Sequence, residues 1–200
     1  MRPLPPSDHL FGFRPDQDGL GAWARETFID SDSPICNPDH AHLDDAFIGW
    51  LWTDEEAANH GRRILGECRM IQAQQRKWSS AMSHHQLKQW FGSTPDFVIV
   101  IQADAARDMD DASFCALVEH ELYHAGQLID EFGQPAFTKS GRPIYSMRAH
   151  DVEQFVGVVE RYGAGASDVE ALVRAAKNGP TIGLASIAGA CGTCQLRRVA

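Results

Sequence analysis

Two histidines four residues apart, with a glutamate directly after the first, are the residues of this chain best suited to do chemistry. They read His120-Glu121-Leu122-Tyr123-His124. On a helix, residues four apart stack on one face. Two imidazoles placed so can both reach one Zn²⁺, and the glutamate between them can take a proton from a water that the ion polarises. The string is short, but His and Glu are scarce enough here that chance supplies roughly 0.02 such matches.

The surrounding residues predict the helix that this reading needs. Phe114, Leu117, Val118, Leu122, Ala125 and Ile129 recur at helical spacing. Asp110 or Asp111 can cap its start. The periodicity carries it to about Phe132-Gly133. A catalytic zinc site usually has three protein ligands, so a third is required. Asp130 stands where related motifs place their last ligand, but the turning glycine that goes with it is replaced by Gln127. On a continuing helix Asp130 and Glu131 are rotated away or too distant. His150 and Glu153 remain, on a helix expected from Ser146 or Met147 to Tyr162, three apart and on one face. His150 is the preferred ligand and Glu153 the alternative. The one that does not ligate can orient a ligand, as can Asp151 or Glu119. Tyr145 is a candidate donor to the oxyanion.

The other elements form an α+β pattern. Residues 1–36 read as an irregular arm packed by Leu10, Phe11, Phe13, Trp23 and Phe28. Residues 37–163 read as the main domain, and 164–200 as a further helix and a cysteine-bearing tail packed on it. Within the domain, Asp39 to about Asn59 reads as a helix ended by Gly61. Arg62–Gln72 reads as a strand with a glycine bulge, Ser83–Phe91 as a short helix, and Phe97–Ile101 as the strongest strand. Ser167 to Glu170 forms a capping box for the last helix.

Phe97-Val-Ile-Val-Ile101, Val118-Glu-His-Glu-Leu-Tyr-His124 and His150-Asp-Val-Glu-Gln-Phe-Val-Gly-Val-Val-Glu-Arg-Tyr-Gly163 resemble the putative phage metallopeptidase family, over roughly residues 60–163. The resemblance implies a minimal zincin-like fold: a small mixed or antiparallel sheet on the His120–His124 helix, with a second helix bringing the third ligand. It also implies a sheet edge beside the cleft to which an extended substrate adds, with Phe97–Ile101 as the candidate. Zinc is then the cofactor and a protein or peptide the substrate.

Composition narrows the classes. A net charge of -9 and a pI near 5.4 oppose a general nucleic-acid surface. No run of about 18 apolar residues predicts a membrane span. The N-terminus lacks the apolar core of a signal peptide, and five cysteines are an odd number, so a cytoplasmic protein with reduced thiols is expected. Cys191-Gly-Thr-Cys194 can be half of a second, structural metal site, a redox pair or an inert tail. Two other readings compete with a phage-type peptidase. One is a non-catalytic, zinc-stabilised binding protein. The other is a SprT-like protease acting on DNA-associated proteins, with the cysteine pair, Arg197 and Arg198 as its contact. Oligomeric state and natural substrate are not legible.

Overall fold

A computed structural model describes the chain except residues 9, 11, 60, 61, 73–76, 153, 154, 166–168, 188–190 and 193–200, and the side chains of Asn59 and Arg62. It is a mixed α+β fold. Four strands form the main sheet: β1 (Phe13–Pro15), β2 (Ile48–Thr53), β5 (Gly66–Met70) and β6 (Phe97–Gln102), in the order β1-β2-β6-β5. β2 runs parallel to β6, while β1 and β5 run antiparallel to their neighbours. A short hairpin of β3 (Ala57–Asn59) and β4 (Arg62–Ile64) precedes β5. Helices α1 (Leu20–Ala24), α2 (Trp78–Phe91), α3 (Ala103–Asp108) and α4 (Asp111–His124) accompany the sheet. A second hairpin follows, of β7 (Ala125–Gln127) and β8 (Tyr145–Met147), then α5 (Val156–Tyr162) and α6 (Glu170–Asn178). Among the described residues no helix is long and apolar enough to cross a membrane.

Ile48-Gly-Trp-Leu-Trp-Thr53 forms a strand where the periodicity predicts a helix. The run is apolar and aromatic without alternation, and every residue after Ile48 is buried. A strand covered on both faces reads like a buried helix by periodicity alone. Only the residues before it, Pro38–Leu43, form a helical turn, of 3₁₀ type. Gly61, the expected helix stop, lies outside the described residues. The start of the chain is more ordered than an arm: β1 pairs with β2, and a π-helical turn, Arg25–Ile29, extends α1. Phe28 is fully buried there, and Trp52 stacks on Phe114 of α4 at 6.4 Å. Each such aromatic contributes about 1.5–3 kcal/mol by leaving water. Arg2 ties the chain start to the same helix. Its guanidinium lies over Phe114 and donates to Asp111 and to the carbonyls of Ala106 and Met109.

β6 lies between β2 and β5, so Phe97–Ile101 is an inner strand and not the sheet edge that the resemblance implies. β1 and β5 are the edges, and α4 packs against β5.

Candidate metal centre

Asp110 starts α4. Its carboxylate accepts from the backbone N–H and hydroxyl of Ser113, and these bonds hold it below the usual carboxylate range. The helix then presents Phe114, Leu117, Val118 and Leu122 to the core. Glu121 lies on this same stripe, fully buried, where the sequence alone allowed an exposed glutamate. A carboxylate is costly to bury, and such a cost is found where the group has work to do.

α4 ends at His124, eight residues before the predicted stop at Phe132. Ala125 and Gly126 pass directly into β7, which pairs with β8 so that Ala125 stands opposite Met147. The hairpin returns the chain at once to the end of α4. Arg148 then holds His124 on both sides: its N–H donates to the His124 carbonyl at 3.0 Å, and His124 Nδ1–H donates to the Arg148 carbonyl at 2.7 Å. Fixing the proton on Nδ1 leaves the Nε2 lone pair facing the cluster, the usual arrangement of a ligating histidine. Burial pushes the His124 pKa down, but bonds to Cys191 and to the Arg148 carbonyl outweigh it and raise the pKa above its ordinary value.

Two residues beyond Arg148 comes His150. It sits on the irregular segment that follows β8, not on a helix, because α5 begins only at Val156. The rings of His120, His124 and His150 form a nearly equilateral triangle, with centroids 5.0, 5.1 and 5.2 Å apart. His120 and His150 bring their Nε2 atoms to 3.3 Å. A fourth donor joins them from the far end of the chain, as Cys191 Sγ lies 3.2 Å from His124 Nε2. The four donor atoms all lie within 4.8 Å of one another and could hold a metal ion. Bonds of about 2.0–2.1 Å to nitrogen and 2.3 Å to sulfur set tetrahedral donor separations of roughly 3.3 Å between nitrogens and 3.6 Å between nitrogen and sulfur; the His120–His150 pair matches such an edge, and the Cys191–His124 pair is a few tenths of an ångström shorter.

Gly66 makes room for this arrangement. A Cβ there would lie 2.8 Å from Glu121 Oε1 and 3.1 Å from Leu117 Cδ1. The glycine in Arg62–Gln72, expected as a bulge, instead lets the edge strand close on the helix. Gly66→Ala should therefore destabilise the chain by about 1–3 kcal/mol through overpacking, measured by urea unfolding. An unchanged midpoint would show that β5 and Glu121 are not so closely packed.

The back of α4 is held by a polar network that the sequence did not mark. Asn37 donates to Glu119 and to the Tyr123 hydroxyl, which donates to Asp39. Glu119 thus faces away from the ligand rings. His42 Nε2–H donates to the Ala125 carbonyl at 2.7 Å, securing the turn out of the helix. His40 is fully buried beside Tyr123, 3.9 Å from Glu119. Burial first, and then the neighbouring His42, push its pKa down to about 4. The unfolded chain takes up this proton near pH 6.5, whereas the folded chain resists it until about 4. Stability is therefore full above pH 6.5 and falls as pH drops towards 4, by about 3 kcal/mol at most. In metal-free protein, His40→Gln should flatten that fall relative to wild type when urea midpoints are compared across the window. Parallel curves would contradict a depressed His40.

The histidines open into a cleft of about 230 Å³, lined also by Asp39, Tyr123, Arg148 and Asp151. Arg148 stacks over Tyr123 and pairs with Asp151. Tyr145 is not part of this lining. Its ring packs on Phe97 at 5.3 Å, and burial, followed by nearby Asp96, raises its pKa. Asp130 accepts from the N–H groups of Phe132 and Gln134 in an exposed turn. Glu153, Cys194, Arg197 and Arg198 lie outside the described residues. Cys191, one of a pair that the sequence left open as a second metal site, a redox pair or an inert tail, stands with the three histidines.

The fold and the cluster define a small α+β protein with a three-histidine, one-cysteine group able to hold a metal ion. A family model described as putative phage metallopeptidase matches residues 21–177, and the chain belongs to that family. No curated protein and no solved structure matches it significantly.

Proposed function

We propose that this protein is a zinc-dependent peptidase, with His120, His124 and His150 holding the ion and Glu121 as general base. The observation that carries this reading is the convergence of three imidazoles around the helix turn that bears Glu121. Three nitrogen donors, with or without a thiolate, suit Zn²⁺ in a tetrahedral site. When bound there, zinc makes water acidic and polarises a carbonyl. The remaining work belongs to side chains of this chain. His124 keeps its ring in place through the Arg148 carbonyl. Glu121 accepts a proton from the attacking water and passes it to the leaving amine. Arg148, a cation lining the cleft, is placed to draw the substrate carbonyl in and to offset negative charge on its oxygen.

The test is elemental analysis together with cleavage of an unstructured casein. One zinc per chain is expected, with cleavage that stops on chelation and returns with zinc. Casein that stays intact with zinc bound, in wild type and in chains altered at Cys191, would overturn the reading. A second reading has one observation in its favour. Four protein donors close a zinc site, as in structural centres. A zinc-stabilised, non-catalytic protein would show that combination of bound metal and intact casein.

A further inference from the structure

We propose that Cys191 is a fourth, displaceable ligand of the metal centre, and that the segment carrying it is a plug that keeps the protein latent. The ligand assignment stands on geometry, while the latency rests on the peptidase reading above. A catalytic zinc site keeps one position for water. Here a thiol stands 3.2 Å from His124 Nε2, where it would take that position on a bound ion. Residue 191 lies beyond the stretch, 21–177, that matches the family. The three histidines lie within it.

The segment is seated at several points. The Ser186 N–H donates to the Ser113 hydroxyl, and Ile187 packs on the core. Cys191 bridges in parallel to Gly66, and the Gly192 N–H donates to the Gly66 carbonyl at 2.8 Å. A Cβ on Gly192 would come within 2.7 Å of Ile64 and 3.2 Å of Glu67, so this seat accepts only glycine without adjustment. Gly66 begins β5, the sheet edge to which an extended peptide would add as a strand. The plug therefore holds a carbonyl that such a substrate would use. Glu121, fully buried, packs on the same Gly66. Withdrawal of residues 191–192 would free one coordination position and release the Gly66 carbonyl. On coordination the thiol gives up its proton to solvent; on withdrawal the thiolate regains one and water takes the vacated position.

Cobalt(II) tests the ligand without any turnover. The cobalt-loaded full chain should show a near-ultraviolet thiolate-to-cobalt charge-transfer band. Cys191→Ser should lose the band yet keep one cobalt on the three histidines. Gly192→Val, which leaves the thiol but disturbs its seat, should weaken the band and expose Cys191 to iodoacetamide. With zinc bound, both variants should cleave casein about tenfold faster or more, because the rate follows the fraction of open protein. Wild type without the band, or Cys191→Ser retaining it, overturns the ligand assignment even where casein is cut. Band loss in Cys191→Ser with unaltered casein cleavage overturns the plug. A band that behaves as expected while no protein cuts casein sinks the peptidase reading, and latency with it, but leaves Cys191 a ligand.

Discussion

Glu121→Gln is expected to keep its zinc and to lower peptide hydrolysis by about 10²- to 10⁴-fold, the range of a positioned acid–base group. The amide is nearly the size of the carboxylate, so the buried stripe of α4 should close around it unchanged. Only the capacity to take a proton is lost. The measurement belongs in two backgrounds, the native chain and the chain carrying Cys191→Ser, where the basal rate is expected to be higher. Zinc content by elemental analysis must stay at that of the parent. Hydrolysis that survives the change in both backgrounds removes Glu121 from the chemistry. Loss of zinc would give it a structural part in the metal centre instead.

The second large effect is on stability. His124 is buried at the junction of α4 and the returning hairpin, and its ring joins the Arg148 carbonyl to the cluster. A ligand that binds only the folded state stabilises it by about 4 kcal/mol at a thousandfold excess over its dissociation constant. For a chain of this size, that corresponds to a rise of roughly 8–16 °C in Tm. Chelation should therefore lower the Tm of wild type by that order, and zinc should restore it. His124→Ala leaves His120, His150 and Cys191 as donors and loses the Arg148 tether, so it should melt at or below the chelated wild type without metal and regain far less than wild type when zinc is added. A wild-type Tm indifferent to chelation would show that no metal is linked to folding here.

These two effects meet at His150. Three donors are needed for the site to bind as proposed, and His150 is the exposed one of the three histidines. It lies on an irregular segment that directly follows the β7–β8 pairing. The hydrogen bonds between Arg148 and His124 tie that pairing to the histidine cluster.

Local sequence carried much of this protein. The helix bearing His120, Glu121 and His124 is written in an i, i+3, i+4 apolar stripe and an Asp110 cap, and both are short-range properties. The β-branched run at Phe97–Ile101 was equally legible as a strand, and the α+β class followed from the two patterns together. His150 was reachable as a donor because the motif demanded a third ligand and imidazole suits zinc. Its element was not reachable. A helical period ran on through Ile129, whereas the chain turned at Gly126 to satisfy its backbone in a hairpin. Ile48–Thr53 failed for a related reason: a strand buried on both faces has no alternation to read. The edge of the sheet, the burial of Glu121 against Gly66 and the arrival of Cys191 67 residues after His124 depend on pairings between distant segments. No local spacing encodes such contacts. What could hold a metal was therefore set by residue type and helical period, while which donors meet, and what covers them, was decided by how the sheet edge packs.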